Sequence, residues 1–143
     1  MYNNILVPVD LNEESSWKKA LPVAVEYCKA FKARLHVMTV IPDLRRTLEA
    51  QLYFPPDFEE KVQVEAEKQL QALIKKQVPK DIAVEHGVAV GTIYDEIVKA
   101  AKRSKADLIV MASHRPAVQD YLIGPNAARV IRHFDRSILV VRD

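Results

Sequence analysis

Short apolar runs that alternate with amphipathic helical patterns constrain the fold of this chain more than any other feature of its sequence. Residues 5–10 and 108–112 form nearly continuous apolar runs that are too short for helices, so they predict strands buried on both faces. Further strands are predicted over residues 35–41, 82–90 and 137–142. Five strands alternating with four helices are typical of a parallel sheet that helices cover on both faces.

Prolines and serines indicate where several of these elements begin and end. Pro8 should lie at the carboxyl end of the first strand, because proline cannot donate to a sheet ladder. Ser15 or Ser16 is predicted to cap the first helix, and Pro22 should bend that helix unless it begins later than its pattern. Cys28 lies on the apolar stripe of the same helix, which indicates a core side chain rather than a reactive thiol.

Composition excludes several classes of protein. A length of 143 residues favours one domain, and no apolar run approaches the roughly 20 residues that cross a bilayer. A net charge of +2, with charges interspersed along the helices, argues against a nucleic-acid or anionic-membrane surface. The amino terminus enters a strand without a signal sequence, and the single cysteine fits a reducing compartment, so a cytoplasmic location is predicted.

The connection over residues 42–56 is unusually long for a compact domain. It carries Leu48, Leu52, Tyr53 and Phe54 and is therefore less polar than a linker. Connections of this length are usually functional or mobile. We expect it to fold over a ligand mouth or a neighbouring subunit, with partial disorder as the alternative.

The segment after the fourth strand contains the first candidate site. The strand ends at Ser113, His114 and Arg115, and a loop leads to a helix start at Gly124-Pro125. A polar loop at the carboxyl end of a buried strand, followed by free backbone NH groups of a helix, can bind an anion such as phosphate. Every βα unit has a loop and a helix start, so an ordinary connection remains the alternative for this feature alone.

Several motifs in order make the whole chain resemble the universal stress protein family, and most closely its short-loop F and G types. They are VPVD after the first strand, MTVIPDL after the second, DLIVMASHR after the fourth, and IGPNAARVIRH leading to SILVVR. The resemblance implies a single domain over residues 1–143, with a five-stranded parallel sheet in the order 3-2-1-4-5 and helices on both faces. It also implies a site for ATP or another adenine nucleotide, with or without Mg²⁺, over the ends of strands one and four.

The resemblance also assigns the residues of that site. It places adenine beside Pro8, Val9, Asp10 and Val40, and the phosphates along Ala112, Ser113, His114, Arg115, Gly124, Asn126 and Ala127. Of the family's three motif glycines only the last is present, because Ala112 and Arg115 replace the first two. Pro125 replaces the usual serine and removes a hydroxyl and a backbone NH. The predicted grip on a triphosphate is therefore weaker than in relatives with the full motif.

Catalytic and metal chemistry receive little support from the sequence. Ser113, His114 and Asp10 are the residue types of a nucleophile triad, but adjacent residues that leave a strand point in different directions, so no catalytic residue is predicted. The four histidines are scattered and lack the close ligand spacing of a zinc site. Any enzymatic activity is expected to be at most slow ATP hydrolysis or self-phosphorylation.

Two functions from different classes follow from these observations. The first is a cytoplasmic stress-response or signalling module that binds an adenine nucleotide, and Gly124 with the polar loop favours it. The second is a dimeric interaction protein of the same fold without a nucleotide, and Pro125 with the lost glycines favours it. In either case the short apolar strand 138–141 is predicted to form a homodimer through its unpaired sheet edge, as in the usual dimer of the family that the chain resembles. The alternative is a monomer, in which Arg142, Asp143 and the shortness of the strand protect the edge. The sequence identifies no other protein partner.

Overall fold

All five predicted strands form one parallel sheet in the order β3-β2-β1-β4-β5. The computed structural model describes residues 1–113 and 125–142. The strands are β1 (Asn4–Pro8), β2 (Arg34–Ile41), β3 (Val84–Val90), β4 (Leu108–Ala112) and β5 (Ser137–Val141). The predicted α/β fold and its strand order are confirmed.

Helices cover both faces of this sheet. They are α1 (Ala20–Phe31), α2 (Leu48–Tyr53), α3 (Phe58–Gln77), α4 (Ile93–Arg103) and α5 (Pro125–His133). Side chains of α1 and α3 pack on one face of the sheet, and side chains of α4 and α5 pack on the other. Among the helices described, none combines the length and the apolar character needed to cross a membrane.

The two core clusters explain why β1 and β4 are apolar at nearly every position. Ile5, Val7 and Val110 contribute to the cluster under α1 and α3, whereas Leu6 and Ile109 contribute to the cluster under α4 and α5. Because successive side chains of a strand point to opposite faces, a strand in the middle of the sheet must be apolar at every position. That requirement accounts for the continuous apolar runs in β1 and β4.

The first helix begins later than its sequence pattern. The predicted cap at Ser15 or Ser16 is wrong, because those residues lie in a short 3-10 turn, Glu14–Ser16, and α1 begins at Ala20. Pro22 therefore lies in the first turn, where its missing NH breaks no helical hydrogen bond. Cys28 is buried, and desolvation raises the pKa of its thiol to about 11, as expected of an unreactive core side chain.

The long connection contains a fifth helix that the sequence pattern did not predict. Helix α2 begins after Thr47, whose side chain accepts a hydrogen bond from the backbone NH of Ala50 at 3.0 Å. The guanidinium Nε of Arg45 donates to the carbonyl of Phe54 at 3.1 Å, which links the two ends of the segment. A capped single turn of good helix formers is too short to show helical periodicity, so the pattern missed it.

Two glycines of the described chain should respond oppositely to alanine. A Cβ atom on Gly87 of β3 meets no atom within 4 Å, whereas on Gly91, which has φ of +151°, it lies 3.0 Å from Cγ of Glu96. Gly87→Ala should stabilise the fold by roughly 0.5–1 kcal/mol, because it removes backbone freedom from the unfolded chain. Gly91→Ala should destabilise it by about 1–3 kcal/mol through backbone strain. Urea unfolding of the two variants checks both signs, and equal effects would contradict the assignment of strain to Gly91.

Candidate functional site

A cleft of about 660 Å³ opens at the carboxyl edge of the sheet. It lies where β1 and β4 are neighbours and the strand order reverses, and the helices that follow these two strands pack on opposite faces of the sheet. In open α/β sheets this reversal point is where ligands bind, because the two loops separate and leave a crevice. The cleft is therefore the candidate ligand-binding site of this fold.

The end of β1 forms one side of the cleft. Pro8, Val9 and Asp10 line it, and the NH of Val9 extends the sheet by donating to the carbonyl of Met38 at 2.8 Å. The carboxylate Oδ1 of Asp10 accepts a hydrogen bond from the NH of Asn12 at 2.9 Å, which closes a tight turn. These bonds fix the direction in which the chain leaves the strand.

Ser16 holds the loop after β1 in place. Its Oγ accepts a hydrogen bond from the NH of Asp10 at 2.8 Å, and its hydroxyl lies 2.7 Å from the carbonyl oxygen of Glu13 and 3.0 Å from that of Asp10. Ser16 also lines the cleft. The serine expected to cap a helix therefore orders the polar rim of the cleft.

The end of β2 forms a second, more apolar side. Val40 and Ile41 line the cleft at the end of the strand, and Pro42 and Leu44 extend its rim into the long connection. The connection therefore reaches the cleft mouth at Leu44, while Leu48, Leu52 and Tyr53 of α2 remain largely exposed. An apolar group of a ligand suits such a surface.

Helix α5 points its amino terminus at the cleft. Pro125 is the first residue of the helix, and Asn126 lines the cleft. The NH groups of a first helical turn have no partner within the helix, so those of Asn126, Ala127 and Ala128 can donate to an anion at this end. The side chain of Ala127 itself is buried in the core under α4 and α5 rather than lining the cleft.

The structure describes the end of β4 as far as Ser113. Ala112 lines the cleft, but Ser113 is buried, and its NH donates to the carbonyl of Val141 at 3.1 Å, which continues the ladder with β5. The predicted site residues His114, Arg115 and Gly124 lie outside the described residues. The structure thus brings Pro8, Val9, Asp10, Val40, Ala112 and Asn126 to one cleft, and it places the side chains of Ser113 and Ala127 elsewhere.

Helix α3 supplies a wall of the cleft that the sequence analysis missed. Lys61, Glu65 and Gln69, spaced four residues apart, line it. The ammonium of Lys61 lies 3.0 Å from the carboxylate of Asp57 and, through that hydrogen bond, lowers the pKa of the aspartate. The amide of Gln69 donates to Glu65 at 3.2 Å. The spacing of four places the three side chains on one face of the helix, and the sequence analysis assigned no residue of that face to the site.

Comparison with known proteins assigns the chain to the family that its sequence motifs resemble. The model of the universal stress protein family matches residues 1–142. The chain belongs to the universal stress protein family. Universal stress protein G of Escherichia coli O157:H7 is 33% identical over 154 residues, which cover 99% of this chain and 100% of that protein.

Two solved structures share the fold over nearly their whole length. The structure of protein MJ0577 superposes with a TM-score of 0.75 at 27% identity, covering 100% of this chain and 97% of that one. Universal stress protein MJ0577 of Methanocaldococcus jannaschii bears the same designation. The universal stress protein of Archaeoglobus fulgidus, solved in complex with dAMP, superposes with a TM-score of 0.67 at 21% identity, covering 99% and 98% of the two chains. The last likeness supports the fold only.

Proposed function

We propose that this universal stress protein binds an adenine nucleotide in the cleft and acts as a stress-response or signalling module with little or no turnover. The observation that carries the proposal is the convergence of the β1 end, the β2 end and the α5 amino terminus on one cleft of about 660 Å³. That size lies within the range of small-molecule sites. The same three elements offer an apolar slot, a carboxylate and free NH groups, which match the three parts of a nucleotide.

In this arrangement adenine lies between the end of β1 and the end of β2. Val9 and Val40 supply apolar contacts to the ring faces, and both line the cleft. Asp10, whose carboxylate is held by the turn to Asn12, accepts hydrogen bonds from the ribose hydroxyls. Sugar recognition by an acidic residue at the edge of a parallel sheet is common among nucleotide sites.

The phosphates lie at the amino terminus of α5. Its first-turn NH groups and the positive end of the helix dipole stabilise negative charge. Pro125 removes one NH of that turn, so this chain holds the terminal phosphates less firmly than a serine would allow. Mg²⁺, bound through the phosphates rather than by a protein cage, would offset part of that loss.

A calorimetric titration with ATP, ADP and AMP, each with Mg²⁺ present, tests the proposal. We expect binding heat and a rise in Tm with at least one of the three nucleotides. Absence of both heat and thermal shift at millimolar nucleotide would overturn the proposal and favour the alternative, a dimeric interaction protein that has lost its ligand. Asp10→Asn is a companion variant. It keeps the side-chain oxygen that accepts a hydrogen bond from the NH of Asn12, so it should weaken nucleotide binding only through the contact with the ribose.

A further inference from the structure

Strand β3 leaves one edge of the sheet open in the described chain. It is the terminal strand of the order β3-β2-β1-β4-β5 and pairs only with β2. The NH of Leu35 donates to the carbonyl of Ala83, and the NH of Gly91 donates to the carbonyl of Ile41. Bonding alternates along a parallel ladder, so the odd-numbered residues of β3 bond to β2. The NH and carbonyl groups of His86 and Val88 therefore point outward.

Both faces beside this edge are concave. On the α4 side a hollow of about 260 Å³ is lined by Met38, Gly87, Ala89, Ala100 and Arg103, among others. On the α3 side a shallower hollow of about 350 Å³ is lined by Gln63, Val64, Glu67, Lys68 and Val88. Because the side chains of a strand alternate between faces, an added strand would direct successive side chains into the two hollows.

Gly87 makes the hollow on the α4 side accessible. A side chain of an added strand can lie over Gly87, because a Cβ atom on Gly87 would meet no atom within 4 Å. Ala89 and Ala100 give this hollow an apolar part, and Val64 on the other face is 51% exposed. The edge thus offers apolar contact on both faces, together with its backbone groups.

The charge at the α4-side hollow is complementary to an acidic partner. Glu85 is held by Arg34 at 2.6 Å and by His36 at 3.3 Å, and Glu67 is held by His86 at 2.6 Å. Arg103 and Lys68 have no carboxylate partner within residues 1–113 and 125–142. The unpaired charge is therefore positive on the α4 side, at Arg103. On the α3 side Lys68 lies beside Glu67, whose contact with His86 is an ion pair only when the imidazole is protonated.

We propose that the β3 edge binds an extended acidic peptide segment of another protein, which adds to the sheet as a sixth strand. Main-chain hydrogen bonds to His86 and Val88 supply affinity, and acidic side chains near Arg103 supply specificity. A second copy of this chain is less suitable as the occupant. If β5 forms a dimer as predicted, a second self-pairing edge would join dimers into an open-ended chain.

Selection from a displayed library of randomised decapeptides, with the full-length chain as bait, tests this proposal. We expect enrichment of proline-free sequences that combine acidic and β-branched residues, and measurable binding of the synthetic peptides by fluorescence anisotropy. Val88→Pro should lower the affinity for these peptides at least about tenfold, because it removes an outward NH that the β2 ladder does not use. Val140→Pro, on the opposite edge of the sheet, is the matched control and should leave peptide affinity unchanged.

A pair of charge reversals keeps the test decisive if the proline variant unfolds. Arg103→Glu should reduce affinity about tenfold or more, whereas Lys102→Glu, with the same change in net charge but about 100° around the helix, should not. Failure to enrich any peptide, or equal affinity of wild type and Arg103→Glu, would overturn the proposal.

Amide hydrogen exchange locates the contact directly. The NH groups of His86 and Val88 should exchange rapidly in the free protein and slowly in the peptide complex, while those of Gly87 and Ala89 should be protected in both. Protection of His86 and Val88 that rises with protein concentration in the absence of peptide would identify a second copy as the occupant and overturn the peptide proposal.

Discussion

Pro125→Ser should raise the affinity for ATP by about tenfold or more. Pro125 is the first residue of α5, at the point where the proposed phosphates meet free NH groups of the first helical turn. Serine restores one NH and adds one hydroxyl, and a good hydrogen bond to a charged group contributes roughly 1.5–3 kcal/mol. Isothermal titration calorimetry of the two proteins with Mg-ATP measures the change.

The stability of the same variant should move the other way. Proline suits a first helical position because its φ is already helical, so replacing it loosens the unfolded chain and costs about 0.4–1 kcal/mol of stability. Higher affinity in a less stable protein therefore indicates new ligand contacts, since general rigidification would raise both. Unchanged affinity would show that the start of α5 does not hold phosphates as proposed.

Two companion variants separate the contributions. Pro125→Ala restores the NH without the hydroxyl, so its affinity should fall between those of wild type and Pro125→Ser. Asn126→Glu places a negative charge beside the proposed phosphates and should weaken ATP, although an acidic residue in the first turn favours the helix itself. If Asn126→Glu weakens ATP binding while the free energy of unfolding stays unchanged or rises, repulsion of the ligand is the cause.

The residue pattern predicted the strands themselves well, because their constraints are local, whereas their order across the sheet was implied by the family resemblance. Pro8 had to end β1, since a central strand cannot spare an NH, and β1 does end there between β2 and β4. A strand was predicted over residues 82–90, and β3 covers Val84–Val90 at an edge of the sheet. Period and hydrogen-bonding capacity were enough to make these predictions.

Contacts between elements were harder to predict. Ser16 has the chemistry of a helix cap, but the loop after β1 uses its hydroxyl instead, and α1 begins four residues later. Local propensity does not reveal such competition between partners. Lys61 and Glu65 lie on a helix face that periodicity identifies correctly, yet only the packing of α3 beside the sheet edge turns that face to the cleft.

A homodimer formed through β5 is the second large effect that we expect. This strand ends the sheet opposite β3 and pairs only with β4 within the described chain. The NH of Ser113 donates to the carbonyl of Val141, so the odd-numbered residues of β5 bond to β4. Ile138 and Val140 therefore direct their backbone groups to the open edge. An antiparallel copy of the strand, related by a two-fold axis, would satisfy both edges.

Val140→Pro should convert this dimer to a monomer without unfolding the chain. The substitution removes an NH that faces the edge, whereas the β4 ladder uses the residues on either side of it. Multi-angle light scattering at tens of micromolar protein should report a dimer for wild type and a monomer for Val140→Pro. A monomeric wild type at that concentration would show that β5 is not an interface.

Val88→Pro is the control that makes the result specific. It removes an outward NH from β3, the opposite edge strand, and so imposes the same chemical change at an equivalent position. If β5 alone forms the dimer, Val88→Pro should remain dimeric. If both variants became monomeric, a general loss of sheet stability would explain the result. A monomeric Val88→Pro beside a dimeric Val140→Pro would assign the interface to β3, and with it would remove the argument that β3 is free to bind a peptide.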